Sequence, residues 1–273
     1  MPLSAFALAL AAAVLHAGWN VLLARSRDVL AATTVALVLS VLIFAPVAAA
    51  TWDVEAAAVP WIAASAGFEI VYFALLTTAY SRSDLSLVYP VARGSAPVFV
   101  LAGAAITGAA VGPRQALGVL FVGGGILLVR GVRGNTDARG VVLALAIGTA
   151  IAGYTLVDKQ GVEHAAVIPY LELILAPAAV AGIAWHAIRG RLAAVRKEVG
   201  WPTVGASVFS FAAYGFVLAA LTLASAPAVA AVRETSVLFA VALGASVLGE
   251  PVGRSRASGA VLVVAGVALV ALG

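Results

Sequence analysis

Charged side chains lie inside apolar segments of this sequence, where a formal charge is costly. They are Glu69, Arg93, Glu172, Arg233 and Glu234. An arginine at the centre of a membrane-spanning helix costs about 2.5–3.5 kcal/mol on insertion scales. Because arginine stays protonated in proteins, both arginines must meet a carboxylate, a protein interior or a water-filled cavity. Arg93 therefore either lines a binding cavity or forms an ion pair that only holds helices together.

Arg93 lies in the stretch LVYPVARGSAPVF, between two prolines. At 100° per residue in a helix, Tyr89, Pro90, Arg93 and Pro97 share one face. Each proline frees a backbone carbonyl, which a membrane tolerates only where protein or a cavity satisfies it. This combination favours a cavity wall over a purely structural ion pair.

Glu69 is the natural partner of Arg93, since it lies deep in the third apolar segment with Tyr72 on the same face. Burial favours the neutral form of a carboxyl group, whereas a nearby arginine favours the charged form. Glu69 is therefore either a fixed counterion or a proton carrier, and the sequence leaves both open. Glu172, in the seventh apolar segment, is a second candidate for proton coupling.

The stretch HAGWN in the first apolar segment places His16 and Asn20 one helical turn apart, with Trp19 between them. The histidine is either a satisfied packing residue or a ligand contact. Tyr154 and Tyr214, in the second half of the chain, would add aromatic walls. Aromatic surfaces with few polar groups suit a small organic ligand. The predicted substrate-binding residues are His16, Trp19, Asn20, Glu69, Tyr72, Tyr89, Arg93, Tyr154, Tyr214 and Arg233.

The elements that carry these residues are long apolar helices. Of 273 residues, 63% are hydrophobic and 10% are charged, whereas a soluble domain carries about 25% charged residues. Apolar runs of about 20 residues, enough to cross a bilayer as helices, predict an all-α protein with ten transmembrane helices in the cell membrane. The predicted spans are 3–23, 29–50, 59–80, 85–107, 114–130, 138–157, 165–188, 201–224, 226–248 and 257–273.

The same composition disfavours several other classes of protein. The net charge of +4 comes from Lys and Arg scattered singly between apolar runs, so we expect no nucleic-acid partner. The absence of cysteine excludes disulfides and thiolate metal sites. The histidines lack the H-E-x-x-H spacing, and the chain has no G-x-S-x-G motif. We therefore expect no enzyme activity, no cofactor and no metal site.

The two halves of the chain resemble each other. Setting Arg93 against Arg233 aligns VARGSAPVFVLAG with AVRETSVLFAVAL. The break falls near mid-chain, which gives a first repeat over 1–131 and a second over 137–273. Five spans per half require the second half to be inverted, an architecture that recurs in secondary transporters. Within the second motif Arg233 should face the cavity and Glu234, about 100° away on a helix, should pair sideways.

Lysine and arginine positions predict the orientation of the chain in the membrane. Of the 16 Lys and Arg, 12 lie in connections after odd-numbered spans and 2 lie in connections after even-numbered spans. Cytoplasmic connections carry the excess of positive residues, so both termini are predicted to lie outside the cytoplasm.

Three segments resemble the EamA branch of the drug/metabolite transporter superfamily. They are LHAGWNVLLARS, SLVYPVARGSAPVFVLAGAAITG and AVAAVRETSVLFAVALGASVLGEPVGRSRASGAVLVVAGVALV. The resemblance implies an exporter with ten helices and a central cavity lined by predicted helices 1, 3, 4, 6, 8 and 9. Members of this family are commonly drawn with cytoplasmic termini, opposite to the charge count.

The expected function is secondary active transport of a small polar or amphipathic metabolite, such as an amino acid, an organic acid or a drug-like compound. The expected partners are this small-molecule substrate, the lipid bilayer and, as a separate hypothesis, protons. The oligomeric state stays open. The alternative is a passive channel or a lipid-binding membrane scaffold, with a membrane enzyme third.

Overall fold

A computed structural model describes residues 1–24, 26–82, 85–130, 138–239, 241–242 and 253–272. Within these ranges the protein is all-helical apart from one isolated β-bridge between Val54 and Ala165. The helices are α1 (Leu3–Leu23), α2 (Val29–Ala50), α3 (Val59–Arg82), α4 (Leu85–Ile106), α5 (Pro113–Arg130), α6 (Ala138–Gly161), α7 (Val167–Ile188), α8 (Leu192–Lys197), α9 (Trp201–Leu223), α10 (Ala226–Arg233) and α11 (Arg254–Leu272). The boundary between the two predicted repeats, 131–137, lies outside the described residues.

Eight of these helices are long and apolar enough to cross a membrane, namely α1 to α4, α6, α7, α9 and α11. A helix satisfies its backbone hydrogen bonds internally, so an apolar run is stable as a helix in lipid. Capping residues and glycine turns end several of these helices. The Asp28 carboxylate caps α2 by accepting a hydrogen bond from the Ala31 N–H at 3.1 Å. After α7, Gly190 adopts φ +66°, a left-handed conformation that favours glycine.

The prediction of an all-helical membrane protein is confirmed, but the count of ten helices is not. The connection after α7 contains the extra six-residue helix α8. The predicted ninth span, 226–248, is not one continuous helix, since α10 ends at Arg233 and a turn occupies 234–235 before the chain is helical again. The last part of that span, 243–248, lies outside the described residues.

Glycines allow α5 and α11 to pack backbone against backbone. A methyl group on Gly118 would lie 2.6 Å from the carbonyl oxygen of Gly266, and one on Gly125 would lie 2.8 Å from that of Gly259. These contacts are too close for any side chain. The glycines of α5 therefore serve close helix packing, a common role of small residues in membranes.

Helix packing relates the two halves of the chain. In the predicted repeat α1 corresponds to α6, α2 to α7 and α3 to α9. The α1–α9 contact is matched by the α6–α3 contact, and the α2–α9 contact is matched by the α7–α3 contact. The equivalent helices α2 and α7 pack on each other. The Met1 amino group donates a hydrogen bond to the Ala271 carbonyl oxygen at 2.9 Å, so α1 begins on the side where α11 ends. We call this side the N-terminal face and the other side the opposite face.

Candidate functional site

A cavity of about 370 Å³ lies inside the helix bundle, within the range of about 300–1,000 Å³ that is usual for small-molecule sites. It extends from the middle of the bundle to the opposite face. Leu23 and Ala24 at the end of α1 and Val29 at the start of α2 line it there. On the other helices the lining residues stop short of the N-terminal face. Among the residues that the structure describes, the lining of the cavity therefore reaches one side of the bundle only.

All ten residues that the sequence predicted as substrate-binding line this cavity. They are His16, Trp19, Asn20, Glu69, Tyr72, Tyr89, Arg93, Tyr154, Tyr214 and Arg233. The helices implied by the family resemblance contribute to the wall as α1, α3, α4, α6, α9 and α10. Two further helices contribute as well, since α2 supplies five lining residues and α7 supplies Leu175.

Arg93 and Arg233 share one carboxylate. The Arg93 Nε atom lies 3.0 Å from Oε2 of Glu234, and the Arg233 Nε atom lies 3.8 Å from Oε1. Arg93 Nη2 also donates a hydrogen bond to Ser236 Oγ at 3.2 Å. Both arginines line the cavity, whereas Glu234 is fully buried and does not. Among the described residues, Glu234 is the one carboxylate within 4.0 Å of the two guanidinium groups, and the carboxyl group of Glu69 lies farther from Arg233.

The turn after α10 explains this arrangement. α10 ends at Arg233, and Thr235 Oγ1 donates a hydrogen bond to the Val232 carbonyl oxygen at 2.8 Å. Because the helix stops, Glu234 turns toward α4 and reaches Arg93. The prediction that Glu69 is the partner of Arg93 is therefore wrong. The partially negative carboxyl end of α10 also favours the two cations beside it.

Glu69 lies in the wall of the cavity and is 6% exposed. The Tyr214 hydroxyl contacts its carboxyl group, and the charged groups near it are Asp158 and Arg233. Two acidic side chains and one shared tyrosine hydroxyl thus meet at and behind this part of the wall. The cavity consequently has an acidic group in its wall, Glu69 on α3, with Asp158 of α6 buried behind it, in addition to its basic region on α4 and α10.

His16, Trp19 and Asn20 form a small hydrogen-bonded group on α1. Trp19 Nε1 donates to His16 Nδ1 at 3.3 Å, and Asn20 Nδ2 donates to the His16 carbonyl oxygen at 2.7 Å. The two rings meet edge to face, with centroids 5.1 Å apart. In this arrangement Nδ1 of His16 is an acceptor, so the ring fits the neutral tautomer with its proton on Nε2.

Tyrosines from both halves of the chain form an aromatic wall. The rings of Tyr72 and Tyr154 are nearly perpendicular with centroids 6.3 Å apart, and the Tyr154 and Tyr214 centroids are 5.9 Å apart. Edge-to-face and tilted contacts at these distances are favourable for aromatic pairs. Rigid rings beside charged groups suit an organic ligand that has both an apolar body and an ionised group.

Asp158, near the end of α6, organises the polar groups beneath the cavity. Its carboxylate accepts hydrogen bonds from Ser65 Oγ at 2.6 Å, Tyr170 Oη at 3.0 Å and Tyr214 Oη at 2.6 Å. The donors come from α3, α7 and α9, so one buried carboxylate joins four helices. Sequence reasoning missed Asp158 because the sixth span was predicted to end at 157. Its only signal was an acidic residue directly after an apolar run.

Glu172 is buried on α7 and does not line the cavity. Its Oε2 atom has no hydrogen-bond partner within the described ranges. The polar residues of α2 that do line the cavity, Thr33 and Ser40, were also missed, because an uncharged helix gives no signal of its orientation. Among the residues that the structure describes, no cluster of three or more His, Asp or Glu is placed to hold a metal ion.

Comparison with known proteins identifies relatives of this chain. Residues 138–272 match the model of the EamA-like transporter family. No curated protein matches the sequence. One solved structure, described as "Crystal structure of protein", superposes with a TM-score of 0.75 over 100% of this chain and 98% of its own, at 16% sequence identity. At that identity the likeness shows a shared fold.

Proposed function

Because this chain belongs to the EamA-like transporter family, we propose that it is a secondary active transporter that exports a small polar or amphipathic metabolite. The substrate class is an amino acid, an organic acid or a drug-like compound that carries an anionic group. The observation that carries this proposal is the position of Arg93 and Arg233, which both line the cavity and which, among the described residues, have one carboxylate, Glu234, within 4.0 Å. A carboxylate on the ligand would pair with these guanidinium groups.

Alternating access between two inverted five-helix repeats, 1–131 and 137–273, is the proposed mechanism. The paired packing of helices from the two halves supports this, as does the position of Arg93 and its repeat-mate Arg233 beside the same cavity. Inverted repeats place a substrate site near the middle of the membrane, at their interface. The cavity would then face each side of the membrane in turn while the arginines hold the ligand.

The direct test is transport by Arg93→Ala in proteoliposomes. A panel of amino acids and organic acids is first screened for thermal stabilisation of the purified protein, and the best ligand is then used in labelled form. Loss of a charged contact to the ligand costs roughly 1.5–3 kcal/mol, or about 10- to 150-fold in apparent affinity. Arg196→Ala, an exposed change on α8 with the same loss of charge, is the matched control. Wild-type affinity in a normally inserted Arg93→Ala protein would refute the binding role.

Proton coupling is a separate part of the proposal, and Glu69 is its favoured carrier because it lines the cavity beside Tyr214. Glu69→Gln should then abolish transport driven by a pH gradient while ligand exchange at equal pH continues. Glu172→Gln is the comparison, since Glu172 lies away from the cavity and is the second candidate. Equal pH-driven transport by Glu69→Gln and wild type would exclude Glu69 as the carrier.

A further inference from the structure

Two loops from different halves of the chain pair across the N-terminal face. The Glu55 N–H donates to the His164 carbonyl oxygen at 3.0 Å, and the Ala166 N–H donates to the Asp53 carbonyl oxygen at 2.7 Å. These bonds form an antiparallel β-bridge between Val54 and Ala165. We call the two paired segments, 53–55 and 164–166, the strap.

A side-chain contact adds to the strap. His164 Nδ1 lies 3.3 Å from Oε2 of Glu55, with both groups substantially exposed. The first segment connects α2 with α3, and the second connects α6 with α7. The strap therefore joins helices of the first half directly to helices of the second half, using backbone hydrogen bonds that do not depend on the side chains.

The strap lies over the closed end of the cavity. The cavity reaches the opposite face at Leu23 and Val29, but its lining residues end before the N-terminal face. Between the cavity and the strap lies Asp158, one turn before the end of α6, with Tyr170 and Tyr214 bonded to it. A ligand that left toward the N-terminal face would have to pass both the Asp158 cluster and the strap.

The opposite face has a corresponding contact. There the loop between α1 and α2 meets the segment after α7, through an ion pair of 2.6 Å between Arg191 Nη2 and Asp28 Oδ2. The Asp28 N–H also donates to Glu198 Oε1 at 3.0 Å. In the predicted repeat, the loop between α1 and α2 corresponds to the loop between α6 and α7. The loop between α2 and α3 corresponds to the connection after α7. The two contacts are therefore counterparts on opposite faces, one made by backbone atoms and one through side chains.

We propose that the strap is the gate that closes the N-terminal face of the cavity. The Asp28–Arg191 contact is its positional counterpart but does not close the opposite face, since the cavity reaches that face at Leu23 and Val29 with the contact formed. Opening toward the N-terminal face breaks the β-bridge between Val54 and Ala165 and separates the two loops. This inference rests on the proposed transport function for its purpose. Its test measures access to the cavity and requires no knowledge of the substrate.

The experiment uses a disulfide to hold the strap closed. Because the chain contains no cysteine, every thiol in a variant is an introduced one. Directly opposed residues of an antiparallel pair have Cα atoms about 4.5–5.5 Å apart, within the usual disulfide range of about 4.4–6.8 Å. Val54→Cys with Ala165→Cys should therefore cross-link on oxidation. Ser210→Cys, on the cavity wall, supplies the reporter thiol.

Reaction of the reporter with a membrane-impermeant maleimide is measured from each face in vesicles of known orientation. With the strap reduced, the thiol should react from both faces. With the strap oxidised, the labelling rate from the N-terminal face should fall at least about tenfold, because the fraction of molecules open toward that face falls by the same factor. The rate should recover when a reductant is added. The rate from the opposite face should be maintained. Variants with only Val54→Cys or only Ala165→Cys beside the reporter are the controls for oxidation alone.

Three results would overturn the proposal. The first is that the disulfide does not form. The second is that the oxidised protein reacts from the N-terminal face as fast as the reduced protein, and the third is that the reduced protein never reacts from that face.

A second variant avoids cross-linking altogether. Glu55→Ala with His164→Ala removes the exposed side-chain contact and should raise labelling from the N-terminal face by about twofold, as expected for a weak surface pair. An unchanged rate argues against a part of this contact in the gate. Access that alternates in a protein with no transport would leave the gate intact and refute the transport proposal alone.

Discussion

The shared carboxylate of Glu234 gives the sharpest prediction about stability. Glu234→Gln keeps the size of the side chain and removes its charge. The change leaves Arg93 and Arg233, which are 7% and 6% exposed, with no carboxylate between them. Two neighbouring guanidinium groups in a membrane protein interior then repel each other and lose their counterion.

The size of the effect follows from the two distances. At an effective dielectric constant of about 20, charges 3.0 Å and 3.8 Å apart attract each other by about 5.5 and about 4.4 kcal/mol. Desolvation of the ions offsets much of this attraction. Removing one partner of a buried pair costs about 3–5 kcal/mol, because the remaining charge is uncompensated. We expect Glu234→Gln to lower the free energy of unfolding by that amount.

A double-mutant cycle isolates the contact itself. Arg93→Gln, Glu234→Gln and the double variant are unfolded reversibly in lipid bicelles, with tryptophan fluorescence as the signal. Residues in direct contact couple by about 0.5–3 kcal/mol, and we expect about 2 kcal/mol here. Glu163→Gln, which removes the exposed partner of Lys159, should cost less than about 0.5 kcal/mol. A coupling energy indistinguishable from zero between Arg93 and Glu234 would refute the ion-pair assignment.

Three further predictions concern other parts of the molecule. Asp158→Asn removes a charged acceptor from three hydroxyl donors and should lower the free energy of unfolding by about 2–3 kcal/mol, more than Tyr214→Phe, which removes one donor. Gly266→Ala places a methyl group 2.5 Å from the Gly118 carbonyl oxygen and should lower the free energy of unfolding by about 1–3 kcal/mol. Gly124→Ala, with open space around it, should leave the free energy of unfolding unchanged or raise it. Equal effects of the two changes would contradict the role of Gly266 in close helix packing. The charge count predicts that a C-terminal reporter that works only in the cytoplasm is inactive, whereas an active one would reverse the orientation.

The sequence predicted the wall of the cavity well because a charge in an apolar helix has few places to go. Arg93 had to face a cavity or a carboxylate, and the structure gives it both. The aromatic and polar residues around it followed from helical spacing and from the repeat. Most helix bounds were also predictable, since the length of each apolar run is set by the membrane; the ninth span and the end of α6 are the exceptions.

Other features depend on tertiary contacts that leave no local signal. The turn at 234–235 contains neither proline nor glycine, so hydropathy continues through it and the partner of Arg93 was misassigned. Asp158 follows an apolar run and looks like the end of a span, although α6 continues to Gly161. The strap is made by backbone hydrogen bonds between segments more than 100 residues apart, which no side-chain pattern encodes.

Ligand counterflow in proteoliposomes tests the central claim most directly. Vesicles preloaded with unlabelled ligand from the stabilisation screen receive a trace of the labelled compound outside. A carrier that alternates access accumulates label transiently, and its initial rate saturates with external ligand. Flux that rises linearly with concentration and does not respond to ligand on the other side would contradict the account and indicate a channel.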